Sequence, residues 1–254
     1  MLVSGVAFAG HEVELGAGIG GQYLADYRGS KETQLQVLPF PVVIYRGDFL
    51  KIDREGIRGE LFASPRFEFN VSADLALNGD SDDNTLRRGM PELDSAFQFG
   101  PSFNINLTGP DFDEGFAIRL PARAVFTVSS EGIDHIGYTF NPKLTYERPE
   151  FIGKWRLSFD FGLLYGSNSF HDYYYSVEQQ YVTPERPYYN AQDGYSGTFS
   201  KLAFSSRHGN LLSSISLRYD NLSGAEFVDS PLVETEHFWM VSFGVAWVFR
   251  EMRF

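Results

Sequence analysis

Apolar and polar side chains alternate through this chain in one segment after another, and residues 155–165 show the pattern in full. Trp155, Leu157, Phe159, Phe161, Leu163 and Tyr165 hold the odd positions; Arg156, Ser158, Asp160, Gly162 and Leu164 hold the even ones. A β-strand sends successive side chains to opposite faces, so one face is wholly apolar and the other carries a cation and a carboxylate. A half-buried strand of a soluble sheet reads the same way, so one such segment constrains little. Recurrence constrains far more.

The same alternation runs through residues 13–19, 35–45, 49–53, 57–62, 67–77, 97–107, 116–128, 138–146, 199–206, 211–219 and 238–249, giving about twelve strands with 155–165. Pro39 and Pro41 interrupt the second segment, which marks it as an edge or a bulge. The connections sort by length. Those after odd-numbered strands are mostly long (21–33, 78–93, 129–136, 167–198, 220–236), with 54–56 short, and those after even-numbered strands are short. A sandwich has no reason to sort its loops. An outer-membrane barrel does, with long outer loops and short periplasmic turns. The expected fold is therefore all-β: a closed antiparallel transmembrane β-barrel of about 12 strands, one domain over residues 1–254. Residues 1–10 read either as the remnant of an export signal or as a lead-in, and 250–254 as a short C-terminal tail. Phe254 has parity opposite to Trp247 and Phe249, so either the strand stops at Phe249 or a bulge near Arg250 restores the register.

Composition agrees. No run of about eighteen apolar residues exists, which excludes a transmembrane helix but not barrel strands of about ten alternating residues. The chain has 24 Phe and 14 Tyr, more than a soluble core of this size needs and suited to aromatic girdles. The net charge of −12, with no basic cluster, argues against nucleic acid as a partner. Absence of cysteine removes disulfides and thiolate metal sites.

The inward faces carry Glu12, Glu14, Glu68, Asp74, Arg119, Arg123, Lys143, Arg156, Asp160 and Arg218. Charges in a narrow lumen must pair, so the simplest reading is a self-neutralising network. The alternative is a constriction that selects solutes by charge, with Arg119 and Arg123 forming a positive rung opposite Asp160. The loop with Tyr173, Tyr174, Tyr175, Tyr181, Tyr188, Tyr189 and Tyr195 is the best candidate recognition surface, because tyrosine gives contact area at small entropic cost. It reads equally as a loop folded over its own barrel mouth. No catalytic, cofactor or metal residues are assigned. The pairs Asp134-His135 and His171-Asp172 are mere sequence neighbours, no nucleophile elbow or zinc helix is present, and Gly16, Gly18 and Gly21 match a dinucleotide pattern without the βαβ unit it requires.

Several stretches, in order, resemble the MltA-interacting protein/outer-membrane protein V (MipA/OmpV) family: Asp26-Tyr27-Arg28-Gly29-Ser30, Leu38-Pro39-Phe40, Tyr45-Arg46-Gly47, Arg88-Gly89-Met90, Gly100-Pro101, Tyr174-Tyr175-Ser176-Val177, Tyr219-Asp220-Asn221-Leu222-Ser223-Gly224-Ala225 and Asp229-Ser230-Pro231-Leu232-Val233. The resemblance implies a barrel in the outer membrane of a Gram-negative bacterium, in contact with outer-membrane lipid. In one branch it implies a non-enzymatic scaffold joining a murein hydrolase to a murein synthase; other members look like porins or adhesins. The scaffold is the leading expectation, a narrow channel or receptor for a small solute the second, and an outer-membrane enzyme the third.

Overall fold

The computed structural model describes residues 11–76, 84–130 and 132–254, and every structural statement below concerns these. The expected lead-in and part of the loop beginning at Asn78 lie outside them. The strands are β1 (Glu12–Ala25), β2 (Thr33–Arg46), β3 (Leu50–Asp53), β4 (Gly56–Ala63), β5 (Phe67–Ala76), β6 (Ser95–Asn106), β7 (Gly115–Ser129), β8 (Gly132–Phe140), β9 (Lys143–Ile152), β10 (Trp155–Gly166), β11 (Gly194–His208), β12 (Leu211–Asn221) and β13 (His237–Arg253). Each pairs antiparallel with its neighbour. β13 pairs with β1 and β10 with β11, so the sheet closes on itself.

Thirteen segments fill twelve places in the wall. β8 lies on Ala122–Ser129 of β7 and β9 lies on Gly115–Arg119 of the same strand, so the two follow one another along one track. The break is Asn141-Pro142, where proline has no N–H to donate to a ladder. The fold is thus the closed antiparallel twelve-strand barrel that the alternation indicates. Side chains follow the period-two reading. Ile19, Leu35, Val37, Phe69, Phe159, Phe161 and Trp247 stand exposed on the outer surface, whereas Glu68, Asn70 and Asn104 are buried inside.

Three local expectations are corrected. The connection expected at 129–136 is a tight turn, with β8 starting at Gly132. A bulge makes Val125 face Gly137 and Phe126 face His135, leaving Ile136 as an extra residue, so simple alternation fails there. Residues 250–253 are strand, not tail. A bulge shifts the pairing from Gly16 with Val248 to Leu15 with Arg250, which restores outward parity to Met252 and Phe254. The third lies inside the long aromatic loop. It contains a helix, α1 (Asn168–Tyr175), started by Ser167, whose hydroxyl accepts from the Phe170 N–H.

A packed hydrophobic core sits at one end, outside the sheet. Tyr27, Leu93, Tyr174, Tyr175, Val177, Leu222, Phe227 and Leu232 come from four connections and pack together over the strand ends at Ala96 and Val125. Backbone and side-chain bonds cross-link the loops. Tyr27 donates to the Leu232 carbonyl (2.7 Å), Tyr175 to Arg28 (3.0 Å), Ser230 to Tyr175 (2.6 Å) and Arg87 to Tyr174 (3.0 Å). This end is a cap. The opposite end, which holds the C-terminus, carries only turns.

Candidate functional site in the lumen and its cap

Inward parity alone brings charges from many strands together, and their geometry is that of pairs. Arg119 Nη1 lies 2.8 Å from Glu55 Oε2, Arg123 3.2 Å from Asp74, Lys143 3.4 Å from Asp160 and Arg156 3.2 Å from Glu147. Arg218 donates through Nε to Asp220 at 2.6 Å and its guanidinium lies over the Phe199 ring. Glu68 accepts from Asn104 (2.9 Å) and Asn70. At the turn end, Glu14 takes Arg46 (2.7 Å) and Arg207 (2.6 Å). Arg119 and Arg123 do not face Asp160 as a rung; each has its own carboxylate, and Asp160 is taken by Lys143.

Three of the carboxylates, Glu55, Glu147 and Asp220, and both partners of Glu14, Arg46 and Arg207, were absent from the expected network. Glu147 and Asp220 were legible, since each continues the inward parity of a strand: Lys143 and Thr145 lead to Glu147, Arg218 to Asp220. Glu55 was not. It lies in the β3–β4 turn, and only the inward curl of that hairpin takes it to Arg119, three strands away; Arg54 of the same turn pairs with Asp113.

The cap joins the lumen through Asp220, which is 1% exposed and also accepts from Arg28 (3.2 Å). Of the loop tyrosines, Tyr174 and Tyr175 lie in the cap's core, and Tyr175 stacks on Phe227 at 3.6 Å. Tyr173 is half-buried, its hydroxyl accepting from the Asp94 N–H (2.8 Å), and burial pushes it up to about 12. Tyr189 is half-buried with its hydroxyl on the Glu226 carbonyl, and Tyr188 stands exposed at the surface. The structure thus gives most of this set to packing and leaves Tyr188 outward.

One contact with chemical interest escaped the sequence. His171 Nε2 lies 2.6 Å from Ser196 Oγ, and Nδ1 meets the Gln192 carbonyl. That carbonyl can only accept, so Nδ1 carries the proton and Ser196 donates to Nε2. This is half of a nucleophile arrangement, but the imidazole is oriented by a carbonyl rather than a carboxylate. Both side chains are sealed beneath Tyr175 and Phe227. Desolvation lowers the His171 pKa, which holds the ring neutral. The pair binds α1 to β11.

Two cavities have volumes of about 540 and 510 Å³, the first reaching Arg123 of the Arg123–Asp74 pair. The first is a dent in the outer, apolar surface beside the β8–β9 break, walled by Phe99, Ala122, Tyr138, Phe140 and Tyr165. The second lies in the cap among Glu92, His135, Asp172, Tyr173 and Glu178.

Comparison with solved structures gives outer-membrane proteins. The outer membrane channel DcaP of Acinetobacter baumannii is 8% identical over 94% of this chain and 97% of that one, with a TM-score of 0.37. The CymD monoaromatic hydrocarbon channel is 12% identical over 95% and 89%, also at 0.37. OmpT of Vibrio cholerae is 11% identical over 96% and 99%, at 0.30. No curated protein matches the chain. A family model described as MltA-interacting protein MipA matches residues 17–249, nearly the whole barrel. The chain therefore belongs to the MltA-interacting protein MipA family and is a barrel of the Gram-negative outer membrane.

Proposed function

We propose that this barrel is a non-enzymatic scaffold that docks a murein-cleaving transglycosylase and a murein synthase at its turn end, which faces the periplasm. The family's description supports the first partner class. The single observation carrying the reading is that Arg119, Arg123, Lys143, Arg156 and Arg218 each sit in an ion pair with an inward carboxylate, beneath a cross-bonded cap. A selectivity filter needs charge available to a passing solute; paired charge instead supports a filled, rigid cylinder. At the turn end, the β6–β7 connection presents Asp111 and Glu114 to solvent and offers an acidic docking point.

Co-flotation tests this. Vesicles bearing the barrel are mixed with a purified lytic transglycosylase of the same organism. The enzyme is expected to float with barrel vesicles and not with empty ones, and Asp111→Lys with Glu114→Lys is expected to weaken the association. A barrel that leaves the enzyme behind, yet gives discrete ion-selective openings in a planar bilayer, would replace the scaffold by the second reading, a narrow channel for small solutes.

A further inference from the structure

The wall is not equally complete all round. β2 pairs with β1 along its whole length, from Thr33 with Ala25 to Arg46 with Glu12. Its other edge pairs with β3 only at Tyr45 and Arg46, because β3 has four residues and the β3–β4 hairpin then curls into the lumen. Among the described residues, no strand pairs with β2 above that point. On the far side, β4 covers β5 only as far as Ala73, leaving Asp74 and Leu75 unpaired at that edge.

The break lies at membrane depth. Leu35, Val37 and Val43 point outward and are exposed within the apolar band. Gly47 donates its N–H to Leu50 on the β3 side (3.1 Å), so the odd residues of β2, two apart along the strand, aim their backbone groups at the same side. Pro39 and Pro41 are odd. They remove N–H donors where an unpaired edge would expose them to hydrocarbon, and an orphaned N–H is harder to tolerate than an orphaned carbonyl. The proline placement suits an edge left open.

The inner wall changes character at the same place. On β5, β6, β7, β9 and β10 the inward positions include charges and amides, such as Glu68, Asn104, Arg119, Lys143 and Asp160. On β2 they are Leu38, Phe40, Val42 and Ile44, and Leu38 is 53% exposed although it faces inward. Phe40 lies flat on β1. A Cβ at Gly18 or Gly20 would meet its ring at 2.9 and 3.0 Å, so glycine there makes room for an apolar floor.

We propose that the barrel is laterally open between β2 and β5, and that an acyl chain of a surrounding membrane lipid enters the opening and lies on Leu38 and Phe40. The opening is continuous with the lipid-facing surface, and its floor offers no hydrogen-bonding side chain between Gln36 and Arg46. A hydrocarbon chain fits both facts.

The chain has no cysteine, so single labels are unambiguous. Leu38→Cys, the outward control Leu35→Cys and the inward control Ser158→Cys are labelled with a fluorophore. Each is placed in vesicles of phosphatidylcholine with or without acyl-chain bromine. The proposal expects bromolipid to quench the label at position 38 as strongly as that at 35, and to spare 158. Quenching at 38 no greater than at 158 overturns it. Folding is checked by heat-modifiable gel mobility, and Val42→Cys replaces Leu38→Cys if that variant does not fold. Addition of free fatty acid to unbrominated vesicles must leave 38 unchanged; displacement by it would make a soluble fatty acid the occupant and overturn the lipid assignment.

Discussion

Arg119 and Glu55 hold each other in the lumen, each with 15% of its side chain exposed. Removing one partner of such a pair strands the other, at a cost well above the net worth of the pair. Arg119→Ala is expected to destabilise the barrel by about 3 kcal/mol at most, because Arg54 and Arg58 remain 3.9 Å from Glu55. Urea unfolding from vesicles, followed by tryptophan fluorescence, measures it; Arg119→Met with Glu55→Leu should recover most of the loss. His171 offers a second test. Its folded pKa is lowered, so between that value and the ordinary histidine value near 6.5 the unfolded segment binds more protons. Stability of the cap is therefore present at neutral pH and falls as the pH drops below about 6.5. Proteolysis of the 167–198 segment should accelerate across that window, and His171→Gln should flatten the pH profile; equal profiles would remove His171 as the cause. At this scale the sequence was half legible. Parity identifies which charges face inward, because it is set by the strand itself. Pairing is set by neighbours distant in sequence, and Glu55 shows that a turn can supply the partner.

Strands were more legible than what lies between them. Alternation is enforced wherever one face meets lipid and the other a lumen, so the twelve places in the wall and most strand segments could be read directly; the exception is 138–146, read as one strand and split at Asn141-Pro142 into β8 and β9. Irregularities could be read only in part. The bulges at Gly137 and near Arg250 each add one residue, which flips every later side chain; the parity of Phe254 offered the second as one alternative, whereas nothing in the sequence announces the first. The bulge in β13 yields a prediction. Deleting Phe249 removes the extra residue and joins Val248 directly to Arg250, so Met252 and Phe254 would still face outward and Arg253 would keep Glu12, its partner at 3.0 Å. The deletion, like Phe249→Leu, is expected to leave the heat-modifiable, folded fraction in outer membranes unchanged; a lowered fraction for the deletion alone would show that the bulge itself is required. Helix α1 was illegible for a different reason. Eight residues with a stack of tyrosines carry little helical period, and the segment is held by its hydroxyl cap and by packing on Phe227.

The two ends of the molecule differ in kind, and that difference predicts its orientation. One end concentrates the buried aromatic core and the cross-bonded loops; the other has turns, the C-terminus and the Glu12–Glu14–Arg46–Arg207 cluster. Barrels of this membrane place long loops outside and turns in the periplasm. The cap was read from sequence as one long tyrosine loop, but it is assembled from four connections whose contacts only the closed barrel creates. Its surface still leaves an accessible stretch, for Glu178 and Glu185 are exposed while Arg186 is buried against the Leu86 and Arg88 carbonyls. A glutamate-specific protease added to whole cells should therefore nick the chain near Glu185 and leave the fragments associated, since the strands on both sides remain paired and Arg186 anchors the following segment. The turn end carries exposed Glu114, which the same protease should reach only after the outer membrane is ruptured. Cleavage at Glu114 in intact cells with Glu185 protected would invert the barrel. It would place the cap, rather than the turns, opposite the murein and move the docking surface to Tyr188 and its neighbours.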